Sequence, residues 1–403
     1  VGRAGLSGLN FVSLFNYHDL RVGVDMHIFL FLAFVLWVVG SFGIPKAMAE
    51  KLIDGPRLEV VAELEQRPAN IAVSVDGQVV VSFHPFDQPS TKIVMINKEG
   101  VIEPFPNKEW NERSEPGADG IGFVNVAGLR ADVNGTILVL DVGDEKHAPR
   151  ILEFNLRGQA VSGVRYIPRN YTTEQTDLRD FAYDWETGHA YIVDMGQADL
   201  TKPAQPAIID LDMRSGWVRR AFVHFDGLMP PEAAVKIHGK VLNIEKDGKE
   251  IPVRAGLNAV TIDVLQDYLY FAPMGAGKLY RVPLSKMADL SVSEEAVIKR
   301  IEVVGDKPES DGMTVDSAGN VYLASIGRNE IGVITSVGRY LSYIQSEMLQ
   351  WADGFSFAPD GYIYVTISRL NEHPVFNQGK DTAEKKPYLI VRFKPIAEGS
   401  IGH

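Results

Sequence analysis

Six stretches of this 403-residue chain repeat one pattern. Each is a short run alternating apolar and small residues, a turn that usually carries glycine, and a second run rich in Val, Ile, Leu and Tyr. The copies are NIAVSVDGQVVVSFH (from Asn70), AGLRADVNGTILVLDVG (from Ala127), DFAYDWETGHAYIVDMG (from Asp180), NAVTIDVLQDYLYFAPMG (from Asn258), SDGMTVDSAGNVYLASIG (from Ser310) and DGFSFAPDGYIYVTIS (from Asp353). Alternation on both sides of a turn predicts a β-hairpin. The turn entrances Ser74, Asp132, Asp184, Asp263, Asp316 and Ala358 are 58, 52, 79, 53 and 42 residues apart. A repeat of roughly 40–60 residues holding several strands marks a propeller blade.

The rest of each unit supplies the missing strands. A third run follows every hairpin, as in KIVMIN at Lys92 and PYLIVRFK at Pro387, and a fourth follows five of them. The chain ends shortly after the sixth third strand, while RLEVVAEL, Arg57 to Leu64, stands unassigned ahead of the first hairpin. Pairing that strand with the last blade closes the ring and removes an exposed edge. The fold predicted is therefore all-β, a six-bladed propeller of four-stranded blades spanning residues 50–403. The one long spacing, between Asp184 and Asp263, holds an apolar, Pro-rich stretch and a further hairpin with a Lys-Asp-Gly turn. Such an insertion emerges either as a cover over the channel mouth or as a plain surface excursion.

The apolar fraction of 45% is ordinary for a chain with a core, and the net charge of −12 argues against nucleic acid as a partner. With no cysteine there is no thiol nucleophile, thiolate metal site or disulfide. Ile28 to Ile44 carries no charge and is followed by Ala47-Met48-Ala49, a small-x-small site that predicts cleavage before Glu50. Residues 1–49 read as a signal peptide, with Met26 as a candidate start, and the product as secreted or periplasmic. An uncleaved anchor is the alternative, at the short end of spanning length. After cleavage no membrane association is expected, and the chain is expected to be a monomer.

In a propeller, residues entering the first strand and leaving the second converge on one mouth of the central channel. Five residues before each turn entrance stand Ala69, Ala127, Arg179, Asn258, Asp311 and Asp353, with Asn70, Asn125 and Asp180 beside them. The second strands return with His84, Asp141, Asp194, Ser325 and Arg369. A concave ring of Asp, Asn, Arg and His is the default ligand site. Crowded carboxylates favour a bound cation or a raised pKa, and Asn258, Asp311 and Asp353 are hard oxygen ligands of the kind that Ca²⁺ or Mg²⁺ takes. Taken singly, each aspartate also reads as a cap on local backbone amides.

The stretches AGLRADVNGTILVLDVG, DFAYDWETGHAYIVDMG, GLNAVTID, DYLYFAPMGAGKLYRVP, WADGFSFAPDGYIYVTISRLN and PYLIVRF resemble, in this order, the signatures of the yellow / major royal jelly protein family, from about Arg57 to Pro395. The resemblance implies a six-bladed propeller whose members bind small ligands such as amines or sterols, serve pigment pathways, or act as dopachrome tautomerases. A more distant similarity is to the senescence-marker / gluconolactonase family, which implies a divalent cation in the mouth. That family's N-G-L asparagine falls on Asn258 and its D-G-M aspartate on Asp311, while its glutamate and second asparagine positions carry Ala69 and Ala127.

Three functions follow as expectations. The first is an exported binder of a small organic molecule at the channel mouth. If it is catalytic, it works by tautomerisation, with Asp311 or Asp353 as general base and Arg179 steadying negative charge. His84, Asp141, Asp180, Asp194 and Arg369 are then ligand contacts. The second is a lactone hydrolase with its cation on Asn258 and Asp311. The third is a protein-interaction scaffold.

Overall fold

The computed structural model describes residues 56–112, 116, 120–158, 160–287, 289, 291–383 and 387–402. The predicted signal peptide and its cleavage site lie outside the described residues. Six antiparallel four-stranded sheets form, one per predicted unit. Their innermost strands are Pro68–Val73, Val126–Ala131, Leu178–Asp184, Leu257–Ile262, Ser310–Val315 and Ala352–Phe357, here blades 1 to 6 in order. Each innermost strand packs on the next around a circle, and that of blade 6 returns to blade 1.

The ring closes as predicted. Glu59–Leu64 pairs antiparallel with Tyr388–Phe393 and becomes the outer strand of blade 6. Arg67 reinforces the seam from within. Its Nη1 donates to the carbonyls of Ser368 and Arg369, both at 2.6 Å, and its Nε donates to Asp87 at 3.1 Å.

Alternation along the strands explains the packing. Side chains at successive positions face opposite sides of a sheet, so one strand feeds two cores. Ala72 of blade 1 joins Leu129 and Val139 of blade 2, whereas its neighbours Ile71 and Val73 join Tyr364 and Ile390 of blade 6. Six apolar clusters of this kind fill the six gaps between blades.

A seventh cluster sits at the channel mouth and settles the role of the long insertion. The predicted hairpin forms from Asn243–Lys246 and Lys249–Pro252, and its turn places Asp247 and Gly248 at positive φ. Val235, Ile237, Leu242 and Val253 of the insertion bury against Met195, Met274, Trp351 and Leu370 from the blades. It is a cover over the mouth and not a surface excursion. The hairpin is pinned at its edges by Lys246 on Asp199 (2.7 Å) and by Gln378 on Glu250 (3.1 Å).

The other end of the channel is crossed by the C-terminal segment. Ser317 N–H donates to Glu398 O, Gly402 N–H to Phe357 O, and Ala131 N–H to Gly402 O, so the segment ties blades 5, 6 and 2 together. No helix among the described residues is long and apolar enough to cross a membrane.

Candidate functional site

Every innermost strand breaks register with its partner near its start. The shifts fall between Pro68 and Ile71, Val126 and Gly128, Leu178 and Phe181, Leu257 and Ala259, Ser310 and Met313, and Ala352 and Phe355. A bulge re-aims the side chains it contains. The six bulges contain Ala69, Ala127, Arg179, Asn258, Asp311 and Asp353, and all six line one cavity of about 720 Å³ beneath the insertion. Asn70, Asn125 and Asp180 line it too.

The close approach of bulges at the axis restricts the neighbouring residues. A Cβ on Gly312 would lie 2.0 Å from the Asp353 carbonyl oxygen, and one on Gly354 would lie 2.9 Å from Asn70 Cα. Glycine after the axial aspartate therefore lets adjacent blades meet. Hydroxyls on the second strands collect backbone groups that the bulges release, as where Ser82 Oγ accepts from Asn70 N–H and Thr366 Oγ1 from Gly354 N–H.

The carboxyl groups of the floor differ in their partners. Asp180 takes Arg130 at 2.7 Å and Asn70 at 3.1 Å. Asp311, 8% exposed, accepts from Asn258 Nδ2 at 2.5 Å on one oxygen and from Trp351 Nε1 at 2.7 Å on the other. The Asp353 side chain makes no hydrogen bond among the described residues. Burial raises the pKa of all three, and for Asp180 and Asp311 the bonds just named oppose the rise. Asp353 is pushed well above the usual carboxylate range, by burial first and then by the nearby charges of Asp311 and Asp180. Of the three, Asp353 is the carboxyl whose proton is held hardest, and Asp311 the one whose hydrogen bonds offset part of its own rise.

Above this floor the walls are apolar: Met195, Met274 and Met313, with Phe86, Leu242 and Phe376. The Phe376 ring stacks on Trp351 at 5.8 Å. Lys307 fixes the segment carrying Met274 by donating to the carbonyls of Pro273 (2.7 Å) and Gly275 (2.9 Å), and burial lowers its pKa to about 7.

Among the returning strand ends, His84 lines the cavity, whereas Asp141, Asp194, Ser325 and Arg369 do not. The two aspartates turn back on their own blades. Asp141 accepts from the N–H groups of Val124 and Asn125 and pairs with Arg150; Asp194 accepts from Asp177 N–H and pairs with Arg220. Both carboxylates are fully buried, and further bonds from Gly143 N–H to Asp141 and from Thr176 Oγ1 and Gly196 N–H to Asp194 complete their surroundings. Arg369 pairs with Glu372 at 2.5 Å and lies over the Tyr388 ring, away from the channel. The residue after each aspartate, Val142 or Met195, faces the cavity instead.

Sequence reasoning missed Arg130, Trp351 and Phe376. Arg130 left a trace, as a charged residue within an otherwise apolar innermost strand. Trp351 and Phe376 lie in connections, where no alternation marks their direction.

A family model described as Major royal jelly protein matches residues 124–372. No curated protein matches the chain. Among solved structures, a luciferin-regenerating enzyme is similar with a TM-score of 0.54 at 12% identity, over 86% of this chain and 98% of that one. A gluconolactonase from Xanthomonas campestris is similar with a TM-score of 0.51 at 11% identity, over 84% of this chain and 89% of that one. At these identities the two likenesses concern the fold.

Proposed function

The chain belongs to the major royal jelly protein family, and from that premise we propose that it binds a small organic molecule in the mouth cavity and moves a proton on it. The observation that carries this reading is the unequal carboxyl pair inside an apolar-walled cavity. Two acids whose surroundings separate their pKa values make a base and an acid at one pH. Asp311, held by Asn258 and Trp351, takes a proton from a carbon next to a carbonyl. Asp353 gives its proton to the carbonyl oxygen, and the product is the enol tautomer. Returning the protons to the alternative atoms completes a tautomerisation.

The cavity favours a ligand over a scaffold role, because its lining is concave and mostly apolar with a few convergent polar groups. The hydrolase alternative needs a cation, and the donors do not fit one. Ala69 and Ala127 offer only methyl groups, which leaves Asn258 and Asp311 as the two matching donors. Among the described residues no three His, Asp or Glu side chains converge as a metal site. A divalent ion prefers six or more oxygen ligands. Residues 28–49 support export of the mature propeller, which works as a monomer in this reading.

Two measurements test the proposal. A neutral naphthalene probe, 2-naphthylmethanol, should bind with one-to-one stoichiometry, and Ala127→Trp, which fills the cavity, should abolish binding without lowering Tm. The protein should also speed deuterium incorporation from D₂O into the enolisable ketone 2-indanone. Absence of saturable binding to the unmodified protein would remove the ligand reading.

A further inference from the structure

The cavity that holds the carboxyl pair is also lined by His84, Phe86 and Arg179. His84 leaves the second strand of blade 1, and Arg179 lies in the bulge of blade 3. The Phe86 ring packs against both, edge-on to His84 with centroids 4.6 Å apart and 5.7 Å from the guanidinium carbon of Arg179.

Each of the two polar side chains is partly committed. His84 Nδ1 accepts from Phe86 N–H at 3.2 Å, so the neutral ring carries its proton on Nε2. That N–H has no partner among the described residues. Burial and the neighbouring Arg179, Arg67 and His373 hold the ring well below its usual pKa, which keeps it neutral. Arg179 has five N–H donors and, among the described residues, one hydrogen bond, from Nη2 to Asp177 at 2.6 Å. Its Nε is buried without a partner, and Nη1 makes no hydrogen bond among the described residues. The other cation of the floor, Arg130, is taken up by Asp180.

We propose that His84 and Arg179 form an anion subsite over Phe86, and that the cavity's ligand carries a carboxylate on an apolar, ring-bearing body. A guanidinium fork matches a carboxylate's two oxygens, and a neutral imidazole N–H adds a third donor without a second charge. The methionine and aromatic walls receive the body. Asp180 is paired with Arg130 and Asp311 is held by Asn258 and Trp351, so Arg179 is the floor's guanidinium left to meet such a ligand. The assignment rests on the ligand-binding reading above and narrows it to one chemical class.

Three isosteric probes separate the two claims: 2-naphthoate, 2-naphthylmethanol and 2-naphthylmethylamine, titrated calorimetrically at pH 7 into the purified protein. The expected order places naphthoate at least tenfold tighter than the alcohol, the equivalent of one good charge-assisted bond. Arg179→Gln should erase that preference while the alcohol's Kd moves less than twofold. His84→Phe should weaken naphthoate alone, by a few fold. Alcohol or amine binding as tight as naphthoate would overturn the subsite and leave the cavity reading standing, as would a preference that survives Arg179→Gln. Failure of all three probes would overturn both. The probe series uses the unmodified protein, so it decides the matter even where a variant does not fold.

Discussion

Asp353→Asn is expected to make the protein more stable at pH 7 and to slow exchange into 2-indanone by about 10²–10⁴-fold, the usual worth of a positioned acid or base. The two effects share a cause. Asp353 is a half-buried carboxyl with no hydrogen bond among the described residues, beside Asp311 and Asp180, and its pKa in the folded chain lies well above 3.8. Below the unfolded pKa both states hold the proton, and the site costs nothing extra. As pH rises past it, the unfolded chain releases the proton and the folded chain keeps it. The folded state then binds more protons, so stability falls with pH until the folded pKa is passed. Asn never ionises and escapes that fall. Thermal unfolding of the two proteins should therefore diverge with rising pH, the variant melting higher at pH 7 and alike near pH 3.5. A variant that melts lower than the parent at pH 7 would mean that Asp353 has a partner which this account omits.

The second large effect belongs to the ring closure. Arg67 is 1% exposed and carries two carbonyls of blade 6 on a single nitrogen, with Tyr388 packed 5.0 Å from its guanidinium carbon. Arg67→Ala leaves the Ser368 carbonyl without its donor and the Arg369 carbonyl with only the Glu372 N–H, and opens a void, at about 3–5 kcal/mol. Arg67→Lys should recover only part of this, since an ammonium cannot span the carbonyls and Asp87 together. Urea unfolding with an unchanged m-value and a lowered midpoint would report the loss. By comparison, the pairing of Glu59 with Arg392 at 2.7 Å on the outer strand is exposed to solvent, and its removal should move the midpoint far less than Arg67→Ala does.

The blade count was legible because each hairpin writes its own alternation and five of the six turns carry a glycine. The axial positions were legible for a related reason: the same offset from six turns picks six residues of one structural class. It succeeded even though the bulges that aim those residues have no sequence signal of their own. The offset failed at the returning ends, where Asp141 and Asp194 occupy the expected register but find backbone N–H groups and arginines within their own blades. An aspartate that caps a loop and one that faces a ligand are the same letter, and only the neighbouring strand distinguishes them. Trp351 shows the complementary failure. It sits at positive φ in a connection, where its indole reaches a carboxylate 40 residues away in sequence.

Asp353 holding a proton at neutral pH, next to an ionised Asp311, is the claim on which the chemistry turns. Carboxyl ¹³C resonances of the aspartate-labelled protein, followed from pH 4 to pH 9, read it directly. The account predicts one aspartate still protonated at pH 7, its signal absent from Asp353→Asn, while Asp311 titrates at lower pH. A spectrum in which every aspartate is ionised by pH 6 would contradict it.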